Sequence, residues 1–208
     1  MKHIRERATL ALIAVTALVT LGIWVTGNLA YATTAMGFIA ARVVGLDVSP
    51  AVPLWLTPFT ATLVHGNFLH LFFNLLLLFY CGRKLEAMLG AGPLVALYLV
   101  GALAAAAGQF AIDPASVVPA IGASGAVSAV IGAFAVSFGK PKRIVASLRL
   151  NRWLNIAWLM AAWTGLQVII GYLSGQLGLL LAIGAHVGGF LAGVLLQRPL
   201  LLWRYRRA

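Results

Sequence analysis

The chain has 208 residues, 62% of them hydrophobic and only 9% charged, with a mean hydropathy of +0.99; soluble domains carry about 25% charged residues, so this composition excludes an ordinary soluble domain and points to a bilayer. Lys and Arg number 15 against 4 Asp and Glu, a net charge of +11, but the cations fall almost wholly between apolar runs, where a membrane surface explains them better than a nucleic-acid partner does. Cys81 stands in an apolar run with no Cys or His at metal-ligand spacing and reads as a small buried hydrophobe.

Crossing a hydrocarbon core of about 30 Å takes roughly 20 helical residues. Six runs are long enough, at about 8–27, 60–80, 93–112, 121–139, 155–174 and 178–197, which predicts an all-α polytopic membrane protein of six transmembrane helices. The first run, followed by "LAYA" (29–32), has the outline of a signal peptide. Its apolar stretch of about 18 residues exceeds the 7–15 of such a region, so it is read as a retained span. Residues 28–58, with Pro50, Pro53 and Pro58, form an outer loop in which about 34–44 is expected to lie as a helix along the membrane surface. Lys2, Arg5 and Arg7 precede the first span, Arg83 and Lys84 follow the second, Lys140, Lys142, Arg143, Arg149 and Arg152 lie between the fourth and fifth, and Arg198, Arg204, Arg206 and Arg207 follow the sixth. Only Arg42 falls on the other side, so the positive-inside bias predicts that both termini are cytoplasmic, with loops 28–58, 113–120 and about 174–178 facing outward. No repeat interrupts the chain, and residues 1–208 read as a single membrane domain.

Polar side chains at membrane depth are costly and are functional suspects. Spans two, four and six supply His65, His70, Asn74, Ser124, Ser128 and His186; the other spans offer little beyond threonines, Gln109 and Gln167, which read as interhelical hydrogen bonds. At about 1.5 Å per residue, Ser124 lies roughly 24 Å above the cytoplasmic boundary, His186 roughly 18 Å, and Asn74 and His70 roughly 14 and 20 Å. The fourth span is short, so the loop with Asp113, Pro114 and Pro119 must dip inward and leave Ser124 at a helix N-terminus. There the first N–H groups lack intrahelical partners and are suited to an oxyanion.

Gly122 and Gly125 flank that serine and permit a tight entry turn and close backbone approach. His186, Gly189 and Gly193 fall at i, i+3 and i+7 on one face of the sixth span, matched by Gly125, Ala129 and Gly132 on the fourth, so close packing would bring His186 against Ser124. A serine hydroxyl needs such a base to act as a nucleophile. His70 and Asn74, at i and i+4, share a face of the second span and carry donors for an oxyanion. None of the four acids, Glu6, Asp47, Glu86 and Asp113, lies within a predicted span, so the site works as a Ser–His dyad or not at all. Taken singly, each residue has another reading: Ser124 bonding a carbonyl one turn back, His186 in packing or at a cofactor, His65, His70 and His186 as a metal site, His70 and His186 as haem ligands, His65 as loop-end structure or a hydrogen bond to the outer loop.

Three segments resemble the rhomboid intramembrane serine proteases: "HGNFLHLFFNLLLLFYCGRKLEAMLGAG" (65–92) with H-x-x-x-N at His70 and Asn74, "GASG" (122–125), and "GAHVGGFLAG" (184–193). The resemblance covers about residues 55–198 and implies a six-helix rhomboid-like bundle with a cavity open to the extracytoplasmic side. It implies Ser124 as nucleophile, His186 as general base and acid, and Asn74, His70 and the Ser124 N–H around the oxyanion. It further implies single-span or other membrane-protein substrates, no metal or organic cofactor, and a short bacterial-type form in an inner or plasma membrane. Two features depart from the family pattern: Trp55 is not followed by arginine, and Ser128 stands where an aromatic residue often stacks under the histidine. A non-catalytic relative that escorts membrane helices is the alternative function; a transporter or channel lacks pore-lining charges here.

Overall fold

The computed structural model describes residues 7–47, 52–139, 143–173 and 182–206. Its principal helices are α1 (Arg7–Val25), α2 (Leu29–Met36), α3 (Phe68–Leu89), α4 (Ala91–Ile112), α5 (Ser124–Phe138), α6 (Leu148–Leu173) and α7 (Ile183–Tyr205). Among the described residues the extended backbone pairs only as an isolated antiparallel bridge between Phe38 and Ala120, so the expectation of an all-helical chain holds. Four described helices, α1, α3, α4 and α7, are long and apolar enough to cross a membrane, while α5 is apolar but has only 15 residues. At the helical rise α5 is about 22 Å long, less than the thickness of a hydrocarbon core.

The first helix buries polar residues and exposes apolar ones, the reverse of a helix in a soluble bundle. On α1 the buried residues are Thr9, Thr16 and Thr20, at i, i+7 and i+11, whereas Leu10, Val15, Leu18, Leu21 and Val25 are exposed. That polar stripe has partners. Glu86, fully buried near the end of α3, accepts the N–H groups of Ala8 (2.9 Å) and Thr9 (2.8 Å) and the Thr9 hydroxyl (2.7 Å). A carboxylate thus satisfies the orphan donors at the start of α1, where the helix dipole favours negative charge. Farther along, Thr20 donates to the Leu63 carbonyl at 2.9 Å.

Small residues let the central helices touch backbone to backbone. Every residue from Ser124 to Ala133 is buried, which puts α5 at the centre. A side chain at Gly189 or Gly193 on α7 would run into the carbonyls of Gly125 and Ala129, and one at Gly132 into that of Phe190. Gly101 meets Ala129, and Gly108 meets the backbone of Gly184 and Gly188, so α4 joins the same contact. Leu78, Leu85, Leu89, Leu94, Leu97 and Phe190 fill the core around this trio.

Several boundaries differ from the sequence reading. α3 begins at Phe68 rather than 60, because Asn67 caps it by accepting the His70 N–H at 2.8 Å, and residues 57–63 form short turns ahead of the cap. It runs through a wider π turn at Leu78–Gly82 past Arg83 and Lys84, which therefore sit on a helix; the Lys84 ammonium lies over the Tyr80 ring at 4.4 Å. The surface helix expected at 34–44 does not form as one piece. α2 ends at Met36, Gly37 turns the chain, Phe38 exchanges backbone hydrogen bonds of 3.0 and 2.8 Å with Ala120, and a 3-10 turn follows at Ala40–Val44. Bonding to the 113–120 loop replaces a membrane-surface helix, and Ala40 and Ala41 are buried. α7 is described from Ile183; the expected start of the sixth span at 178, the outward loop expected at about 174–178, and Lys140 and Lys142 lie outside the described residues.

Candidate active site

The entry to α5 is held from three directions. Gly122 has φ +105°, a left-handed conformation that favours glycine, and the His70 ring occupies the space a Cβ would take. The Gly122 N–H donates to the Ala61 carbonyl at 2.9 Å, and the Ala123 N–H to His65 Nε2 at 3.2 Å. Because Nε2 accepts, the proton of His65 sits on Nδ1, which faces Thr20 Oγ1 at 3.1 Å while the Thr20 hydroxyl bonds the Leu63 carbonyl. Trp24 Nε1 donates to the His65 carbonyl at 2.8 Å. His65 is thus more than loop-end structure: it ties α1 to the turn before Ser124. Both its ring nitrogens are engaged, which argues against its use as a metal ligand, and its ring meets that of His70 edge-on at 4.9 Å.

α5 then opens on Ser124, and α7 carries His186 to it: His186 Nε2 and Ser124 Oγ are 2.9 Å apart, both residues buried. The approach is possible because Gly189, one turn beyond His186, lies against the Gly125 carbonyl. His186 Nδ1 bonds no group among the described residues. On the next turn of α5, Ser128 Oγ donates to the Ser124 carbonyl at 2.6 Å and accepts from Trp163 Nε1, also at 2.6 Å. On α3, Asn74 Nδ2 donates to the His70 carbonyl at 2.7 Å, and both residues are fully buried.

Residues 53–203 match the family model of the rhomboid domain. The chain belongs to the rhomboid family. It is similar to the rhomboid protease GlpG of Yersinia enterocolitica serotype O:8 / biotype 1B, 31% identical over 134 residues, which are 64% of this chain and 44% of that protein. It is similar also to the rhomboid protease GlpG of Yersinia pestis strain Pestoides F, 30% identical over the same shares, and to that of Enterobacter sp. strain 638, 31% identical over 138 residues, 65% of this chain and 45% of that protein. The chain thus spans less than half the length of the curated relatives it matches. Family and apolar helices together make it an integral membrane protein.

Within this rhomboid domain a cavity of about 40 Å³ adjoins the serine, bordered by Ser124, Gly125, Ile121, Phe38, Gln109 and Ala185. A water needs about 10–15 Å³ on this measure, so the cavity has room for water beside the hydroxyl. Gln109 contributes its buried amide there, with Oε1 bonded to no described group. Gln167 is fully buried on α6, and neither amide atom bonds a described residue, so the interhelical bonds expected of these two glutamines are not present among the described residues. For His65 the sequence offered no sign of its bond to the Ala123 N–H, and Thr20 and Trp163 were not among the residues the sequence singled out. Their signal was faint: three threonines at 9, 16 and 20 on one helical face, and one tryptophan among three on α6.

Proposed function

We propose that this chain is an intramembrane serine endopeptidase that cuts transmembrane substrates with a Ser124–His186 dyad. The observation that carries this reading is the 2.9 Å approach of His186 Nε2 to Ser124 Oγ at the first residue of a buried helix. His186 takes the hydroxyl proton through Nε2 as Ser124 Oγ attacks the scissile carbonyl, then gives that proton to the leaving amine; water hydrolyses the acyl-enzyme with His186 again as base. The oxyanion forms beside the unpaired N–H groups of α5's first turn, with the Asn74 amide and a His70 ring N–H as further donors. Asn74 Nδ2 rests on the His70 carbonyl, so it turns or shares that bond to serve. The reading draws support from the relatives named rhomboid proteases. It extends to six spans with cytoplasmic termini and a site reached from the outer side, and it calls on no metal or organic cofactor.

The test uses purified protein in liposomes with a generic single-span substrate and a fluorophosphonate probe. Wild type cleaves the substrate and labels on Ser124, whereas Ser124→Ala and His186→Ala do neither while still accumulating in the membrane. Cleavage that survives Ser124→Ala, or that a chelator removes, overturns the dyad.

A further inference from the structure

Among the described residues His186 is held at one nitrogen only, by Ser124. An imidazole fixed at a single point can rotate away from the hydroxyl it serves, so its ring neighbours decide how often the pair is aligned. No described carboxylate reaches Nδ1. The α5 position one turn past Ser124, from which a side chain could cover the imidazole, carries only the short hydroxyl of Ser128.

Another helix covers the ring. Three tryptophans lie along α6: Trp153 and Trp158 are 55% and 68% exposed, but Trp163 is 4% exposed. Its indole meets the His186 imidazole in an edge-to-face arrangement, ring centroids 6.2 Å apart at 60°, within the 4.5–7 Å range of such pairs. The indole is itself fixed by the 2.6 Å bond from Nε1 to Ser128 Oγ, and Ser128 donates onward at 2.6 Å to the carbonyl of Ser124. Two hydrogen bonds in series, each polarising the other, thus fasten Trp163 to the residue that carries the nucleophile. A larger side chain at position 128 would take the space the indole fills.

We propose that Trp163 is the positioning residue for His186, clamped by Ser128, so that α6 completes a dyad otherwise formed by α5 and α7. The proposal rests on the dyad reading above. The indole blocks rotation of the imidazole away from Ser124. The effect falls on the chemical step and not on substrate affinity.

The experiment compares wild type with Trp163→Ala, Trp163→Phe and Ser128→Ala in liposomes. Active sites are titrated with the fluorophosphonate probe, so that kcat is expressed per competent site and misfolded protein does not count. Losing the indole is expected to lower kcat per site roughly 10- to 100-fold, the scale of a misaligned catalytic group, with KM unchanged. Trp163→Phe keeps a ring and recovers most of the loss; Ser128→Ala, which frees the indole, falls between. Where Trp163→Ala does not accumulate, Trp163→Leu keeps apolar bulk without a ring and takes its place. A kcat per site equal to wild type in the ring-free variant, or a Trp163→Phe as slow as the ring-free variant, overturns the proposal. Wild type that neither labels nor cleaves overturns the dyad reading and this proposal with it, whereas an active wild type beside unaffected variants overturns this one alone.

Discussion

Around Ser124 single atoms carry separate duties, and substitutions can tell them apart. Asn74→Ala removes one candidate oxyanion donor. Such a donor is typically worth about 100- to 1000-fold in kcat, and because α5's first N–H groups remain, the loss is expected at or below the low end, with KM little changed in steady-state kinetics. His65 acts through the backbone. His65→Phe keeps a ring beside His70 but leaves the Ala123 N–H without an acceptor, at a cost of about 1–3 kcal/mol for a buried donor. The expected result is a lower unfolding midpoint in a thermal shift assay together with slower probe labelling of Ser124, since the turn that presents it loosens. Equal labelling would separate His65 from the site. The motif residues themselves were legible in the sequence because a dyad of this kind would demand particular side chains at particular helical spacings. His65 was legible as a polar group at depth, but its partner was not, because a histidine bonding a distant backbone N–H has no spacing to betray it.

At the level of helices, small residues and one buried acid decide how elements meet. Gly193→Val sets a branched side chain against the Ala129 carbonyl and forces α7 off α5. Overpacking costs typically about 1–3 kcal/mol, and displacement of α7 carries His186 with it, so stability in mild detergent and Ser124 labelling fall together. Retention of both would mean that the helices do not touch there. Glu86→Ala leaves the N–H groups of Ala8 and Thr9 and the Thr9 hydroxyl without their shared partner. A loss on the order of 3 kcal/mol is expected, read as early proteolysis or accelerated hydrogen exchange in α1 ahead of the rest. The glycine faces could be read from i, i+3 and i+7 spacing, since that period belongs to the helix itself. The π turn at Leu78–Gly82 and the run of α3 past Lys84 could not, because a charged pair marks the end of an apolar run but does not end a helix, whose hydrogen bonds continue regardless of side-chain charge.

For the molecule as a whole, the bias of Lys and Arg predicts cytoplasmic termini, and reporter fusions after Ala208 test it: an extracytoplasmic C-terminus would mean a miscounted span. Orientation bears on the substrate. Under the proposed orientation Ser124 lies toward the outer half of the bilayer, so a substrate helix would have to unwind there around its scissile bond, and Gly or Pro eases this by about 1 and 3 kcal/mol respectively. Cleavage is expected near the outer end of the substrate span, after a small residue that fits beside Gly122 and Gly125, and is weakened when Leu replaces the helix breakers. Mass spectrometry of products from a substrate series reads this directly, and cuts clustered at the cytoplasmic end would refute it.

Composition and periodicity alone determined that the chain is helical and apolar, how long its runs are, and which few polar groups stand at depth. Those properties are local: a helix closes its hydrogen bonds within its own segment, and a bilayer selects length and hydropathy residue by residue. Only the tertiary structure decided what covers His186, what grips the turn before Ser124, and what becomes of the threonines of α1. Thr20 meets His65, Thr9 meets Glu86, and Trp163 meets His186 across 45, 77 and 23 positions of sequence. Such pairings depend on how helices rotate against one another in a medium that gives apolar faces no preference. There the inward side of a helix is set by close packing, small residues and hydrogen bonds more than by hydrophobicity.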